Sequence, residues 1–569
     1  MAIGLDTPAQ TRQRLHVFFS DAMLPQLLVT VLTGLFWLTN RVLVGLGLCL
    51  AVLVLYRLTL HPLAGVPGPR LAAVSNLWHA YQVRNGRMSV LARTLHKRYG
   101  HVVRVGPNEV WFDSKEAFDQ IYSMQPCLSS IDMVDRRILI ADAGTGKGFE
   151  KSDFYLSTCL NRPRLDWMLR PHFQDTLDLL SERDMKRYRL QRRLIGRTYH
   201  ASNVIKYESA IDNVLHRATE KLASLQGAEV DLKEWMHIIT VECLGACVLS
   251  WSPGMLKNGT DRGTITHSYQ GWRRKSFFGL FPTMTKLELC SSSIGRAFGT
   301  LCGVTYKTPE NFRPFFPDVA KRLSRRLKSA LRLHRPKGDD DLLADLIQLH
   351  KEKPEFNETY LRKMAITNFG AGHETMASTL TSILAMVGSD EQVQKVVTAE
   401  IRQHSRAAAA YADVARLRQT RAAIKESMRL HPVIGMSLPR TTPSSGLQLH
   451  ARWFPPKTTV GCNPLALHLN EDIFGPDADR FDPSRWLGTE ATGSRARTMD
   501  RYNLGWGGGS RTCPGRNLAE LVVFKVVTAL LLQFDVTAEM PAEDAQRTFF
   551  LSMLTGVKAR FRRAKVDED

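Results

Sequence analysis

The chain has 569 residues and a formal net charge of +21, a strongly basic balance that favours acidic partners such as nucleic acid, an anionic membrane or an acidic protein. Its 44% hydrophobic and 23% charged residues are ordinary for a globular protein, and the lack of repeats or low-complexity tracts excludes solenoids and disordered scaffolds. Nine scattered cysteines, an odd number, argue for a reducing compartment and against a disulfide scaffold.

The first apolar stretch covers residues 27–60 and is long enough to cross a bilayer, which needs about 20 residues. Residues 42–60 are the better single span, since Arg57 near their end can reach the headgroups. Arg41 would cost about 3 kcal/mol at mid-membrane, which disfavours a span centred on it. Residues 27–38 therefore either lie in the interface or extend one longer tilted span. The sequence predicts an uncleaved membrane anchor over residues 1–60.

The next segment, HPLAGVPGPR at residues 61–70, contains three prolines and predicts a stiff extended hinge. Residues 71–569 follow as one globular domain. Alternating residues around a Pro-Asn turn predict a β-hairpin over 102–112, and helical periodicity dominates from about residue 114 onward. A basic run over 321–337 lacks interleaved aromatic residues, so it indicates a solvated helix face and no nucleic-acid binding.

A long apolar helix predicted over residues 364–387 contains a polar interruption, GAGHET, at 370–375. Gly370 and Gly372 each weaken a helix by about 1 kcal/mol relative to alanine. Either the helix is locally kinked, with the Thr375 hydroxyl bonding a freed backbone group, or another group packs against this turn. The residues alone leave both interpretations open.

A later helix carries Glu426 and Arg429, three residues apart and therefore on one face. Such a pair is usually a surface ion pair worth less than about 1 kcal/mol. Downstream, FDPSRW places Arg485 among aromatic residues and a proline, which indicates a buried arginine. A buried arginine needs a carboxylate, and Glu426 is a candidate.

The segment GWGGGSRTCPGR at 505–516 places consecutive glycines beside Cys513. Glycines are costly in ordered structure, so their clustering indicates that the backbone passes close to a bulky group. With the anchor, GHET, ExxR and FDPSRW in this order, the chain resembles the cytochrome P-450 family, the haem-thiolate monooxygenases, of the membrane-anchored fungal type. The stretches ESMRLHP and EDIFGPDADRFDPSRWL resemble its pisatin-demethylase-like group.

The resemblance implies a mainly α fold with small β-sheets, shaped as a triangular prism, that binds heme b (iron protoporphyrin IX). Cys513 would be the iron ligand as thiolate, which favours O–O cleavage. The residues that would surround the cofactor are Arg511, Arg192 and Arg440 at the propionates, Tyr188 where relatives have Trp or His, and Gly509 and Trp506 in the signature. Trp506 departs from the usual phenylalanine.

The same resemblance assigns two further groups of residues. Thr375 would hydrogen-bond dioxygen and a water while Glu374 supplies protons, although Met376 replaces a commonly hydroxylated residue. Glu426, Arg429 and Arg485 would form a buried network that supports the cysteine side of the haem.

The substrate is expected to be a lipophilic small molecule, because the segments that resemble substrate-contacting regions are apolar. Their lining residues are Phe369, Ile434, Met436, Leu438 and Phe550. The expected enzyme is a monomer in the endoplasmic reticulum membrane that faces the cytosol. It would oxidise a secondary-metabolite intermediate with O2 and electrons from an NADPH-cytochrome reductase docked on the basic surface. The alternative is a haem-thiolate isomerase, dehydratase or sensor that turns over without a reductase.

Overall fold

The computed structural model describes residues 23–122, 149–159, 164–168, 170–172, 174–332, 340–404, 409–488 and 493–564. The chain divides into two compact units, 1–65 and 66–569. The dividing point lies within the proline-rich segment 61–70.

In the first unit, helix α1 (Met23–Thr59) continues through Arg41 without a break, and the guanidinium of Arg41 lies 4.1 Å from the Trp37 ring centroid. By length and composition, Leu28–Thr59 is a candidate membrane span, and its large apolar side chains are exposed. At 1.5 Å per residue α1 is about 55 Å long, which exceeds the roughly 30 Å of a bilayer core. The length therefore allows residues 42–59 to span while Arg41 stays near a surface.

The second unit is mainly helical. Its helices are α2 (Arg70–Val74), α3 (Asn76–Arg84), α4 (Met88–Tyr99), α5 (Lys115–Tyr122), α6 (Met185–Ile195), α7 (Ala201–Val204), α8 (Glu208–Ala223), α9 (Leu232–Leu249), α10 (Met255–Asn258), α11 (Thr264–Gly279), α12 (Pro282–Cys290), α13 (Ser292–Leu301), α14 (Phe316–Arg332), α15 (Leu342–Glu352), α16 (Glu358–Ser389), α17 (Glu391–His404), α18 (Tyr411–Val414), α19 (Arg418–Leu430), α20 (Pro464–Leu467), α21 (Glu471–Phe474), α22 (Gly493–Tyr502) and α23 (Arg516–Gln533).

The strands are short. They are β1 (Val102–Gly106), β2 (Glu109–Phe112), β3 (Glu150–Lys151), β4 (Arg164–Leu165), β5 (Pro171–His172), β6 (Val230–Asp231), β7 (Arg440–Thr441), β8 (Leu447–Leu449), β9 (Arg452–Phe454), β10 (Thr459–Cys462), β11 (Phe534–Glu539) and β12 (Lys558–Arg563).

In the described part of the chain the strands form two larger sheets and two two-stranded sheets, β4-β5 and β8-β9. The largest has the order β1-β2-β10-β7-β3, in which β2 and β10 are parallel and the other pairs antiparallel. The second has the order β11-β12-β6 and is antiparallel. The predicted hairpin over 102–112 is confirmed, with Val103 opposite Trp111. The expectation of a mainly α fold with small sheets is confirmed as well.

Helix α16 is the centre of the body. It begins where the Asn357 side chain accepts the backbone N–H of Tyr360 at 2.9 Å, and it extends the predicted helix at both ends. It packs against α9, α15, α19 and α23. Most of its length is buried among these helices, whereas the GAGHET turn is buried at His373 and Glu374 and exposed at Ala371.

Candidate active site

The loop before α23 presents Cys513. Gly509 adopts a φ of +57°, and a Cβ on Gly508 would lie only 3.0 Å from the Cβ of Tyr122, so both positions suit glycine. The backbone N–H of Cys513 donates to the Trp506 carbonyl at 2.8 Å, which closes the loop. The thiol of Cys513 is left accessible although protein encloses its other sides. The loop therefore holds one accessible sulfur at a fixed position.

Opposing effects act on that thiol. Burial raises the pKa of Cys513 above its ordinary value, whereas a backbone N–H of Gly515 and the charges of Arg192 and Arg516 lower it. Burial thus makes a thiolate at Cys513 unfavourable, and the nearby N–H donor and cations offset part of that free-energy cost. A cationic metal centre would remove the remaining cost.

Buried cations surround the same region. A side-chain nitrogen of Arg192, Nη1, is buried and finds no hydrogen-bond partner among the residues that the structure describes. Nε of Arg511 is likewise buried and has no hydrogen-bond partner in the described part of the chain. Burial, together with the charge of Arg440, lowers the pKa of Arg511 to about 10. Each of these two guanidiniums therefore has one buried nitrogen that lacks an acceptor in the described part of the chain.

Tyr188 and Arg440 make specific contacts near this cluster. The Arg511 guanidinium lies 4.0 Å from the Tyr188 ring centroid, and the Tyr188 hydroxyl donates to the Ser510 carbonyl at 3.1 Å. Tyr188 thus braces the cysteine loop. Arg440 Nη1 lies 3.3 Å from the Tyr155 hydroxyl and 3.2 Å from the Pro439 carbonyl.

Lys151 belongs to the cluster, and sequence reasoning missed it. Its Nζ donates to the carbonyls of Leu179 and Leu180 at 3.1 and 2.5 Å, and burial with the charges of Arg511 and Arg440 holds its pKa well below the ordinary value. Its sequence context, GFEKSDFY, carries no signal for such a position. Only the pairing of β3 with β7 brings it beside Arg440.

This set of residues fits a haem. Unpartnered guanidinium nitrogens and mutually repelling buried cations match two propionates, and the accessible thiol matches an iron ligand. Helix α16 leaves an open face nearby, because a Cβ on Gly370 would meet no atom within 4 Å in the described ranges and Ala371 is exposed. Tyr199 lies between helix α16 and the cysteine loop. Its hydroxyl donates to the Asn368 side chain of α16 at 2.8 Å, and the residue lies within electrostatic reach of Cys513.

On that turn of α16, Glu374 is buried and faces α11. It accepts hydrogen bonds from the Ser268 hydroxyl and from Trp272 Nε1, the latter at 2.6 Å. Burial raises the pKa of Glu374 to about 7, against the opposing charge of Lys275. The side chain can therefore hold or release a proton near neutral pH.

Thr375 donates its hydroxyl to the Ala371 carbonyl at 2.7 Å, within an unbroken helix. The turn remains helical at Gly370 and Gly372. Gly370 lies on the open face, whereas a Cβ on Gly372 would come within 3.1 Å of the Leu244 side chain, so Gly372 permits close packing against α9. The hydroxyl is close to that face and can accept a hydrogen bond there while it donates to Ala371.

Glu426, Arg429 and Arg485 form a buried network. Arg429 Nη2 and Arg485 Nε both donate to Glu426 Oε1 at 2.7 Å, and Trp486 Nε1 donates to Oε2 at 2.8 Å. Arg429 also donates to the carbonyls of His468 and Ala478. The carboxylate is fully buried, so its charge is balanced only inside this network.

The apolar residues expected to line a substrate site fall into two groups. Ile434, Met436, Leu438 and Phe550 lie in one apolar cluster, where the Phe550 ring centroid is 5.6 Å from that of Trp272. Phe369 lies in the other cluster, fully buried against Phe315 at 6.2 Å. The structure therefore does not bring Phe369 together with the other four. Trp272 joins them, and no sequence pattern indicated it.

A thiol-presenting loop, a cluster of cations with two unpartnered nitrogens in the described part of the chain, and an acid–alcohol pair on a central helix define a haem-thiolate protein. The profile of the family described as Cytochrome P450 matches residues 159–559. The chain belongs to the cytochrome P450 family, uses haem as its cofactor and is a P450 monooxygenase.

Three relatives illustrate the similarity. The chain is 53% identical over 554 residues to a protein named cytochrome P450 monooxygenase sdnT of Sordaria araneosa, covering 92% of this chain and 95% of that protein. It is 26% identical over 522 residues to one named gsfF of Penicillium aethiopicum, with 89% and 94% covered. It is 26% identical over 479 residues to pisatin demethylase of Fusarium vanettenii, with 83% of each covered.

Proposed function

We propose that this chain is a membrane-anchored monooxygenase that hydroxylates or otherwise oxidises a lipophilic intermediate of secondary metabolism, with electrons from an NADPH-dependent reductase. The observation that carries the proposal is the accessible Cys513 thiol beside the unpartnered nitrogens of Arg192 and Arg511. The named relatives, which are fungal P450 monooxygenases, support it.

In this proposal Cys513 holds the iron as thiolate. Arg192, Arg440 and Arg511 hold the propionates, and Lys151 adds positive charge behind them. Tyr188 fixes the loop through Ser510 and lies against the Arg511 guanidinium, on the side proposed for the propionates. Gly509 and Trp506 set the backbone and ring beside the sulfur, where Cys513 N–H already bonds the Trp506 carbonyl.

The bound haem supplies reductive activation of dioxygen. Two protons are needed to cleave an O–O bond, and Glu374 is the buried acid closest in sequence to the open face of α16. We assign Glu374 to proton supply and the Thr375 hydroxyl to positioning a hydrogen bond at that face. The buried Glu426 network supports the segment that leads into the cysteine loop, through the contacts of His468 with Arg429 and Leu504.

The substrate class follows from the apolar cluster. Ile434, Met436, Leu438 and Phe550 offer carbon surface and few polar anchors, which favours a lipophilic molecule held by shape. Pisatin demethylase, by its name, acts on pisatin, an example of a small molecule handled by a relative.

The proposed partners follow from charge and from the anchor. With a net charge of +21 the chain suits an acidic flavoprotein reductase better than nucleic acid. Helix α1 would hold a monomeric enzyme in the endoplasmic reticulum membrane with its body toward the cytosol.

The test combines full-length protein in membranes with a fungal NADPH-cytochrome reductase and extracts containing polyketides and terpenoids, under ¹⁸O₂. Mass spectrometry should show products that gain labelled oxygen only when NADPH is present. Product formed without NADPH and O2 would instead support the alternative, an isomerase or dehydratase. The intact Glu374 and Thr375 pair favours the oxygen-dependent reaction.

A further inference from the structure

Four buried titratable side chains form a line from the loop 259–263 to α16. His237 Nδ1 lies 3.1 Å from Asp261 Oδ2, at an angle outside good hydrogen-bond geometry. His237 Nε2 lies 2.9 Å from His373 Nδ1. His373 Nε2 lies 3.8 Å from Glu374 Oε1. The line thus ends at the proposed proton donor.

The line is enclosed by protein. Asp261, His237, His373 and Glu374 are at most 7% exposed. The ring of His373 is covered by the rings of Phe315 and Phe316, with centroids 5.4 and 5.7 Å away. Asp261 is buried, but its chain neighbours Thr260, Arg262 and Gly263 are half-buried, so the outer end of the line lies close to solvent.

The charges along the line differ between its ends. Burial acts to raise the pKa of Asp261, but the contact with His237 and the N–H groups of Ile265 and Gly263 outweigh it, so the pKa is lowered and the carboxylate stays charged. Burial holds the pKa of His373 well below its usual value, which makes this ring a neutral carrier. Glu374 at the inner end can take up a proton near neutrality.

Other charged groups face the line from the neighbouring helices. Lys275 of α11 acts on both His373 and Glu374. Lys233 of α9 lies within electrostatic reach of Asp261 and Glu234. Glu234 accepts the Asp261 N–H at 3.0 Å, which helps to fix the loop.

We propose that Asp261, His237 and His373 form a proton relay that recharges Glu374 during turnover. The inference rests on the proposed monooxygenase function. An imidazole can receive a proton on one ring nitrogen and release another from the opposite nitrogen, and both rings here are aligned end to end for such a transfer.

The step balances in protons and charge. Doubly protonated His237, beside the Asp261 carboxylate, gives its Nε2 proton to His373 Nδ1, and His373 gives its Nε2 proton to the Glu374 carboxylate. Two N–H bonds break, one N–H and one O–H bond form, and the charges on His237 and Glu374 are neutralised. A small rotation of the Glu374 carboxyl group closes the 3.8 Å gap. A solvent proton arriving at Asp261 restores the charged pair after the rings regain their starting tautomers.

The first test measures the proton on Glu374 without turnover. Infrared spectroscopy of the holoenzyme identifies the Glu374 carboxylic acid band by its loss in Glu374→Gln, and transfer into deuterated buffer gives its exchange rate. We expect His373→Gln and Asp261→Asn to slow this exchange by roughly tenfold or more. His267→Gln is the matched control, because His267 stacks on Phe312 at 4.1 Å and lies outside the line.

The second test uses the reductase and NADPH without organic substrate and measures the hydrogen peroxide released per NADPH consumed. We expect His373→Gln and Asp261→Asn to release a larger share as peroxide than the unaltered enzyme and His267→Gln. Asp261→Asn keeps the size of the side chain, so it decides the question if His373→Gln fails to retain haem. If His373→Gln and Asp261→Asn show the same exchange rate and the same share of peroxide as His267→Gln, the relay is overturned. An unaltered enzyme that consumes no NADPH would overturn the proposed function instead, and the exchange measurement would still decide the relay.

Discussion

His468 accepts the backbone N–H of Leu504 on its Nε2 at 2.9 Å, in the turn that leads into the cysteine loop. Its Nδ1 lies 2.9 Å from the Arg429 carbonyl, so the ring joins the Glu426 network to that loop. With Nε2 accepting, Nδ1 must carry the proton, and the imidazole is neutral. The His468 side chain therefore connects the buried Glu426 network to the loop that carries Cys513.

We expect His468→Phe to destabilise the protein by about 1–3 kcal/mol, because it leaves the Leu504 N–H unpaired. Burial lowers the pKa of His468 to about 3, below the unfolded value of about 6.5. Its contribution to stability is thus complete above about pH 6.5 and is lost as the pH falls toward 3. When the pH is lowered from neutral to mildly acidic, the free energy of unfolding should fall less in His468→Phe than in the unaltered protein, as measured by denaturant unfolding. An equal fall in the free energy of unfolding in both proteins would contradict this expectation. His404→Phe, at an exposed position, is the control.

Glu426→Ala is expected to cost about 3–5 kcal/mol, because Arg429 and Arg485 lose their common buried carboxylate. The loss should appear as a low yield of haem-containing protein and an early unfolding transition. Glu391→Ala is a suitable comparison, since Glu391 forms an exposed pair with Lys395 four residues away. Normal haem content in Glu426→Ala would show that the network does not support the site.

Thr375→Ala should uncouple the enzyme, so that NADPH consumption continues while peroxide rises and oxygenated product falls. Thr381 offers a matched control, because its hydroxyl also donates to a helix carbonyl four residues back at 2.7 Å. The measurement is the ratio of product to NADPH with each variant. Equal coupling in Thr375→Ala and Thr381→Ala would remove Thr375 from the mechanism.

Arg192→Gln should weaken haem retention by roughly ten- to a hundredfold, the effect of losing about 1.5–3 kcal/mol from one charge-assisted hydrogen bond. Transfer of haem to apomyoglobin measures this directly. Arg193→Gln is the control, because Arg193 is the next residue and points to solvent. Similar transfer rates for both variants would argue against a propionate contact at Arg192.

Local sequence signals predicted the elements that depend on neighbouring residues. The hairpin at 102–112 follows from alternation around a turn, and α16 follows from a long apolar period. The pairing of Glu426 with Arg485 was proposed from the sequence as well, because a buried arginine requires a carboxylate and Glu426 was a candidate.

Positions that depend on distant parts of the chain could not be predicted in this way. Lys151 reaches the cation cluster only through the pairing of β3 with β7, and His468 acquires its role only when Leu504 folds beside it. The histidine line is similar, since His237 and His373 are 136 residues apart in the chain. Phe369 shows the reverse problem: its segment resembles a substrate-contacting region, but the side chain is fully buried and packs against Phe315.

The most direct test of the account is the absorption spectrum of the reduced protein under carbon monoxide. The unaltered chain and Cys302→Ser should both show the band typical of thiolate-bound haem, and Cys513→Ser should lack it. A band that persists in Cys513→Ser, or that is missing from the unaltered protein loaded with haem, would contradict the sulfur–iron bond on which the proposed function depends.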